Sequence, residues 1–527
     1  MAAVIERLFS RLTSLLVLDT SSEAIERNVA LVRVLLGVGM LHRFIDILGY
    51  GMIDDDPAGM QAMAFTAACC AAMLTIGLLT PIALLGLFFF SVYPQFGPTL
   101  ADQNMVQLAW CLWLLGAGRR WSVDGLLAGS GGGRLIEALY GLSVRPTADN
   151  LASVRAFVLV TYAGICFSAA AYHFDDAMWM RGNTLQLLMV TPYMSDLAEA
   201  TAGLRDAAPE LYHRSLQLAL LVQTVFELFL LPLLFWRPGR AFVALQWLAF
   251  IGIRGLTMNL GYLCYVELCL WLLVYNYRPW GHNVLELSGR ARTEAHPERA
   301  PGLLLRTATA VVFLFGAYNA YTLFHRSSPL LALESVPGFS FLYRAFGQDR
   351  VNVFNRNDMS MGATQLVLFE VDDTGRPVRT VPFMDHRGGR LAYLRNDYLY
   401  FDISLKFQRM HPQDKTAMAP LLVRRVGVLD AALQPERRDR SYVALALGQP
   451  FVPVHDFEGW GDTEFLGQIP FSIRGATADA LEGASLVPAY ALPPGHLGEE
   501  RRRAASLRYA DRLWQQGRLP RSRAAFD

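Results

Sequence analysis

The sequence has 527 residues, of which 53% are hydrophobic and 18% are charged, and its formal net charge is +1. Soluble domains carry nearer a quarter of charged residues, so a single water-soluble globule is excluded for the whole chain. The near-zero net charge also argues against a nucleic-acid partner, which requires a basic surface. Apolar residues concentrate before about position 324, and an ordinary polar composition follows.

The first segment, residues 1–25, alternates apolar and polar side chains and lacks the uninterrupted apolar core of a signal peptide. We predict an amphipathic helix that lies on the membrane surface.

Residues 26–325 contain repeated apolar runs close to the length of about 20 residues that crosses a bilayer. We predict a polytopic α-helical membrane bundle of about nine spans, or eight if the short run 103–118 or the arginine-containing run 240–257 does not cross. The predicted spans lie near 28–48, 59–79, 82–100, 103–118, 153–173, 215–236, 240–257, 260–276 and 304–324.

The arginines of the short loops predict the orientation, because cytoplasmic loops are enriched in basic residues. With a cytoplasmic N-terminus, the inner loops hold clusters at 119–145, 237–240 and 278–299, and the outer loops hold the acidic stretches 54–56 and 175–176. An odd number of spans then predicts a multi-pass protein of a bacterial inner membrane whose C-terminal domain is periplasmic.

The pattern changes from helical to strand-like after position 326. Segments 365–371, 391–407 and 442–447 are rich in β-forming residues, and turn-forming residues separate them. We predict a small β-rich, sandwich-like soluble domain over 326–490. A basic amphipathic helix and tail over 491–527 is expected to pack on this domain or to contact anionic lipid.

Several ionisable residues fall inside the predicted spans, where each is costly unless it has a partner. Arg33 lies in the first span, and Glu227, Arg254 and Glu267 lie in three successive later spans. We expect these four residues to form an inward-facing charge network, with Arg254 paired to either glutamate. A purely structural ion pair is the alternative.

The fifth span leads into a polar stretch that contains His173, Asp175, Asp176 and Trp179. His173 is its only side chain that exchanges protons near neutral pH without help, which makes it a candidate catalytic residue. The alternative is a satisfied histidine at the membrane interface, where Asp175, Asp176 and an aromatic belt residue such as Trp179 also belong. The six cysteines lie in apolar runs without metal-binding spacing, so we expect no metal.

Four stretches resemble the HTTM family, whose membrane domain is shared with vitamin K-dependent gamma-carboxylase. They are ALVRVLLG at 30–37, WSVD at 121–124, WMRG at 179–182, and Glu227 followed by an apolar run and Pro232. The resemblance covers about residues 25–325. It implies a bundle with a polar cavity, followed by a β-rich extramembrane domain as in the carboxylase.

The carboxylases of this family use a lysine shortly before the Trp-x-x-Gly motif to take a proton from reduced vitamin K. The corresponding position here is Phe174, and the only lysines in the chain are Lys406 and Lys415. Arg254 also replaces a histidine of the family, and arginine stays protonated. The chain therefore resembles a divergent member, and we do not expect gamma-carboxylation.

Two functions remain open from the sequence. The first is a membrane enzyme that binds a quinone-like or lipid ligand in the bundle and acts on a peptide or protein substrate held on the periplasmic side. The second is a non-catalytic maturation, export or immunity partner that binds another protein through its β-rich domain. Transport is less favoured, because the sequence has no inverted repeat or paired broken helices.

Overall fold

The computed structural model describes most of the first 350 residues and selected strands beyond them. The described residues are 2–18, 20–51, 57–92, 100–128, 133–141, 143, 146–174, 179, 182–190, 197–257, 262–277, 303–325, 328–348, 364–373, 377–381, 439–448, 451–454, 457–460, 464–474, 481–482 and 487–488. The predicted strand at 391–407 and the predicted helix at 491–527 lie outside them.

Fifteen α-helices occur in the described part of the chain, and a short 3₁₀ helix, Pro329–Ser335, separates the last two. They are α1 (Ala2–Leu16), α2 (Ser22–Gly51), α3 (Pro57–Ile76), α4 (Thr80–Val92), α5 (Leu100–Leu114), α6 (Val123–Ala128), α7 (Gly133–Leu139), α8 (Ala148–Phe174), α9 (Thr184–Val190), α10 (Ala198–Ala207), α11 (Pro209–Leu233), α12 (Arg237–Thr257), α13 (Leu263–Tyr275), α14 (Leu303–Phe324) and α15 (Pro337–Ala345).

Four stretches are long and apolar enough to cross a membrane, namely Ser22–Ile45, Ala58–Ile76, Ala148–Ala171 and Pro209–Leu233. Helices α4 and α13 and part of α14 are apolar but shorter. These helices indicate a membrane protein. A helix overlaps each of the nine predicted spans, whereas nine crossings remain a prediction.

Helix α8 lies at the centre of the bundle and contacts α1, α2, α5, α11, α13 and α14. Its sequence is apolar or small on nearly every side, which is typical of a helix that is surrounded by protein. Its buried residues include Phe157, Tyr162 and Ala170. Side chains on different faces of α8 therefore meet different parts of the bundle.

Small residues permit close helix packing elsewhere in the bundle. A Cβ atom added at Gly37 of α2 would lie 2.6 Å from the backbone nitrogen of Thr75 in α3. Such close approach of backbones is common at helix contacts in membranes. Helices α2 and α3 therefore pack against each other through this glycine.

Helix α1 packs on the bundle through one face, and its Leu12 and Leu16 side chains are buried. The guanidinium of the buried Arg155, in α8, donates a hydrogen bond to the carbonyl oxygen of Leu16. That carbonyl lies at the C-terminal end of α1, where helix carbonyls lack intrahelical partners. The predicted surface helix is thus anchored to the protein itself.

The described strands form one antiparallel sheet and a separate strand pair. The sheet has the order β2-β1-β3-β6-β7, with β8 also paired to β6, and β4 pairs with β5. The strands are β1 (Thr364–Val371), β2 (Pro377–Val381), β3 (Asp439–Gly448), β4 (Phe451–Val454), β5 (Phe457–Trp460), β6 (Glu464–Arg474), β7 (Leu481–Glu482) and β8 (Val487–Pro488).

Strands β1 and β3 coincide with the segments predicted at 365–371 and 442–447. They pair directly, with Phe369 opposite Val443. The segment before β1 is helical up to Ala345, so strands begin well after position 326. A second packed layer, which a sandwich requires, stays a prediction.

Candidate functional site

One face of α8 carries three polar or reactive side chains, Tyr162, Cys166 and His173, at spacings of four and seven residues. These spacings place the three residues on the same side of a helix with 3.6 residues per turn. All three are buried. This face of α8 is directed towards α11, α12 and α13, whose charged residues meet it.

His173 pairs with Glu227 of α11. The His173 Nδ1 atom lies 3.2 Å from Glu227 Oε2, and the exposed fractions of the two residues are 2% and 6%. Gln223, one turn earlier in α11, donates from its Nε2 atom to Glu227 Oε1 at 2.7 Å. The glutamate side chain is therefore held from both sides in a buried position, which fixes its orientation towards the imidazole.

Trp179 covers the imidazole of His173. The two rings are stacked, with centroids 3.4 Å apart and planes at 11°. The indole nitrogen of Trp179 donates to the Thr224 hydroxyl of α11 at 3.2 Å. Because Trp179 follows α8 in the chain and binds α11, it closes the His173–Glu227 site from one side.

Arg254 of α12 forms a buried ion pair with Glu267 of α13. The Tyr162 hydroxyl donates to the other oxygen of Glu267 at 3.2 Å. The Arg254 guanidinium also lies over the ring of Phe250, with its carbon 3.5 Å from the centroid, and donates to the Phe250 carbonyl at 3.2 Å. These contacts satisfy both charges within the protein.

The two pairs belong to one polar region along α8. Tyr162, which binds Glu267, stacks on Trp247 of α12 at a centroid distance of 4.2 Å. Cys166 lies one turn further along α8, on the side of Tyr162 and His173, and is also buried. The structure thus brings together His173, Glu227, Arg254 and Glu267. Glu227 and Glu267 were the two predicted partners of Arg254, and in the structure Arg254 pairs with Glu267.

Arg33 lies elsewhere, in a region that we call the Arg33–Asp124 cluster, formed by Arg33, Asp124, Tyr140 and the turns at Leu79 and Trp121. The Arg33 guanidinium donates to backbone carbonyls of the segment after α5, including that of Trp121 at 2.5 Å. Asp124 accepts from the backbone nitrogens of Leu79 and Thr80 at 2.7 and 2.8 Å. It also accepts from the Tyr140 hydroxyl at 2.7 Å.

Two residues of this cluster have left-handed backbone conformations that non-glycine residues seldom adopt. Their φ angles are 46° for Leu79 and 49° for Trp121. Arg33 binds the carbonyl of Trp121 and Asp124 binds the nitrogen of Leu79. The cluster therefore stabilises two strained turns. In this position Arg33 has a structural role rather than a place in the charge network.

Asp175 and Asp176 lie outside the described residues. Phe174, the position for which the resemblance implies a lysine, is 47% exposed, whereas the neighbouring His173 is buried. The two positions therefore lie on different sides of α8, and a side chain at 174 does not reach the position that His173 occupies.

Sequence reasoning missed three residues that complete the site, namely Tyr162, Gln223 and Trp247. The contact of Gln223 could have been predicted from the sequence, because Gln223 precedes Glu227 by four residues on the same helix face. Tyr162 and Trp247 lie in apolar runs, and no sequence pattern distinguishes them there. Within the described part of the chain, no group of three His, Cys, Asp or Glu residues has a geometry suited to a metal ion.

The His173–Glu227 pair is suited to proton exchange. A carboxylate that accepts from one ring nitrogen fixes the tautomer and the orientation of an imidazole, which leaves the other ring nitrogen to exchange a proton. The Arg254–Glu267 pair is suited to fixing α12 against α13. No family model, curated protein or solved structure matches the chain.

Proposed function

We propose that the bundle binds a quinone-like or lipid ligand beside the His173–Glu227 site, and that this dyad exchanges a proton with the ligand. The observation that carries the proposal is the 3.2 Å contact between two buried titratable groups, His173 Nδ1 and Glu227 Oε2. Ionisable residues inside a membrane are costly and are retained mainly for function. A ligand that reaches this depth must itself be soluble in the membrane.

The resemblance to the HTTM family supports the same class of ligand and a peptide or protein as the second substrate. In this proposal the bundle spans a bacterial inner membrane about nine times, with a cytoplasmic N-terminus. The β-rich domain lies in the periplasm and holds the substrate. The resemblance implies a lysine at Phe174, and the His173 side chain of the dyad lies on a different side of α8. The proposed reaction is therefore a proton transfer other than gamma-carboxylation.

The test is to purify the full chain in mild detergent and to identify bound quinones and lipids by mass spectrometry. We expect a defined ligand with the wild type and its loss with His173→Ala and with Glu227→Gln. His42→Ala is the control, because His42 lies on α2, is exposed and contacts Tyr262. Equal recovery from all four proteins, or from none of them, contradicts the proposal.

A non-catalytic role as a maturation, export or immunity partner is the second candidate. The Arg254–Glu267 pair favours it, since both of its charges are satisfied by protein groups and need no ligand. In that case His173→Ala preserves the cellular phenotype, and the full-length protein crosslinks to another protein through its β-rich domain.

A further inference from the structure

Two glutamine side chains, Gln223 of α11 and Gln246 of α12, meet beside the His173–Glu227 site. Gln223 is buried, and Gln246 lies near the middle of α12 and is half-buried. The Gln246 Nε2 atom lies 3.3 Å from Gln223 Oε1, and Gln223 Nε2 lies 2.7 Å from Glu227 Oε1. Together with the 3.2 Å contact between Glu227 Oε2 and His173 Nδ1, these contacts form one continuous chain from α12 to the imidazole.

The chemistry of the groups fixes the direction of each hydrogen bond in this chain. An ionised carboxylate only accepts hydrogen bonds, whereas a carboxamide has a donor end and an acceptor end. Gln223 therefore turns its amino group to Glu227, so its carbonyl oxygen faces Gln246, which donates. On the other side of the carboxylate, the Nδ1 atom of His173 donates. A reversed Gln223 amide would place two acceptors, its carbonyl oxygen and the carboxylate, in contact.

Reversal of the Gln223 amide becomes possible only when Glu227 carries a proton. That proton can bond to the Gln223 carbonyl or, from the other carboxyl oxygen, to His173 Nδ1. In the second arrangement Nδ1 accepts, so the neutral imidazole carries its own proton on Nε2. The hydrogen bond from Gln246 opposes this change, because it holds the Gln223 carbonyl away from Glu227. The orientation of one amide is thus linked to the tautomer of the histidine.

We infer that Gln246 is a positioning residue of the dyad, which acts through Gln223 and Glu227 to keep the proton of the neutral His173 ring on Nδ1. Nε2 is then the ring nitrogen that exchanges a proton. This use of the arrangement rests on the proposed function, whereas the arrangement itself needs no ligand. The competing role for the two glutamines is to join α11 to α12, as polar side chains do between membrane helices.

The test measures the tautomer of His173 by nitrogen NMR on the full-length protein, with isotope-labelled histidine, in lipid nanodiscs. Protonated and unprotonated ring nitrogens give separate signals, and the spectrum of His173→Gln identifies those of this residue. At a pH where the ring is neutral, we expect the wild-type proton on Nδ1. In Gln246→Met and Gln223→Met we expect the ratio of the Nε2 to the Nδ1 tautomer to rise about fivefold or more, which is the equivalent of one hydrogen bond of about 1 kcal/mol.

Trp271→Phe is the matched control, because Trp271 of α13 donates to the Ala244 carbonyl of α12 at 3.0 Å. It also removes a hydrogen bond between two helices, but one outside the chain of contacts that ends at His173. We expect its Tm to fall while the tautomer ratio stays unchanged. If Gln246→Met does not fold, Gln246→Asn shortens the side chain and is judged by the same ratio.

Three results would overturn the inference. They are a wild-type His173 ring with its proton on Nε2, a wild-type ratio in the Gln246 variant, and the same change of ratio in Trp271→Phe. The tautomer is measured without added ligand. If no ligand copurifies with the protein while the ratio changes as expected, the proposed function fails and this inference stands.

Discussion

Two buried charged regions of this protein bind their charges in different ways. In the Arg33–Asp124 cluster, the guanidinium and the carboxylate bind mainly backbone carbonyls and nitrogens. Around α8, charged side chains bind other ionisable side chains, as His173 binds Glu227. A charge that binds the main chain fixes a conformation, whereas a pair of titratable side chains can also move a proton. Burial alone therefore does not distinguish a structural charge from a functional one.

The comparison also predicts how each region responds when one partner is removed. A side-chain pair can be replaced as a unit by two apolar residues, because both charges disappear together. When a carboxylate that binds backbone nitrogens is removed, no second substitution can restore stability, because the backbone nitrogens remain and have lost their acceptor. The four predictions below test this difference, from the largest expected effect to the smallest.

The largest effect is expected for the Arg254–Glu267 pair. Arg254→Met leaves Glu267 as an uncompensated buried charge, and we expect the free energy of unfolding to fall by about 3–5 kcal/mol. Glu267→Leu has a similar effect, whereas the double variant recovers most of the loss. Unfolding in mixed micelles, analysed as a double-mutant cycle, measures the coupling. Additive losses in the double variant show that the pair does not act as a unit.

The next effect is expected at Asp124. Asp124→Ala leaves two backbone nitrogens and the Tyr140 hydroxyl without their acceptor, and we expect a loss of about 2–4 kcal/mol in the free energy of unfolding. Asp124→Asn retains one acceptor oxygen and should lose less. Arg33→Met should not rescue Asp124→Ala, in contrast to the pair around α8. Rescue by that substitution contradicts the structural role assigned to the cluster.

These two regions show what the sequence predicts and what it does not. Apolar runs locate the helices, because a span must be both long and apolar. The cost of burying Glu227, Arg254 and Glu267 in hydrocarbon predicts that they need partners. Which partner each residue takes depends on helix rotation and packing, and these are set by contacts distant in sequence. Arg254 therefore remained open between two glutamates until the structure placed it beside Glu267.

Arg33 and Asn104 show the same limit from another side. The sequence grouped Arg33 with the other intramembrane charges because they share chemistry, but Arg33 binds a turn about 85 residues further along the chain. Asn104 lies in the predicted span 103–118, and its polar side chain is fully buried inside the bundle. No residue pattern in an apolar sequence predicts which backbone carbonyls or positive φ angles a charged side chain will meet. Contacts of this kind are therefore seen only in the structure.

A smaller effect is expected from the pH dependence of the Arg33–Asp124 cluster. Burial raises the pKa of the Tyr140 hydroxyl above its ordinary value, and the charge of Asp124 acts in the same direction. As the pH rises, the Tyr140 hydroxyl therefore loses its proton in the unfolded chain before it does so in the folded protein. The free energy of unfolding keeps the full contribution of this group below about pH 10 and declines above it. Between about pH 10 and pH 11 we expect wild type to lose about 1 kcal/mol more than Tyr140→Phe. If the free energy of unfolding changes with pH in the same way in the two proteins, the prediction that Tyr140 is buried as a neutral phenol is wrong.

The smallest effect is expected at an exposed ion pair that adjoins the same turn. Arg120 lies 2.9 Å from Glu23 of α2, with exposed side-chain fractions of 30% and 62%. Exposed pairs contribute about 0.2–1 kcal/mol and are screened by salt, so Arg120→Ala should change the free energy of unfolding by less than about 1 kcal/mol. Chemical unfolding at low and high salt measures it. A loss comparable to that of Asp124→Ala would mean that the turn depends on its surface charges, and the contrast between main-chain and side-chain partners would no longer hold there.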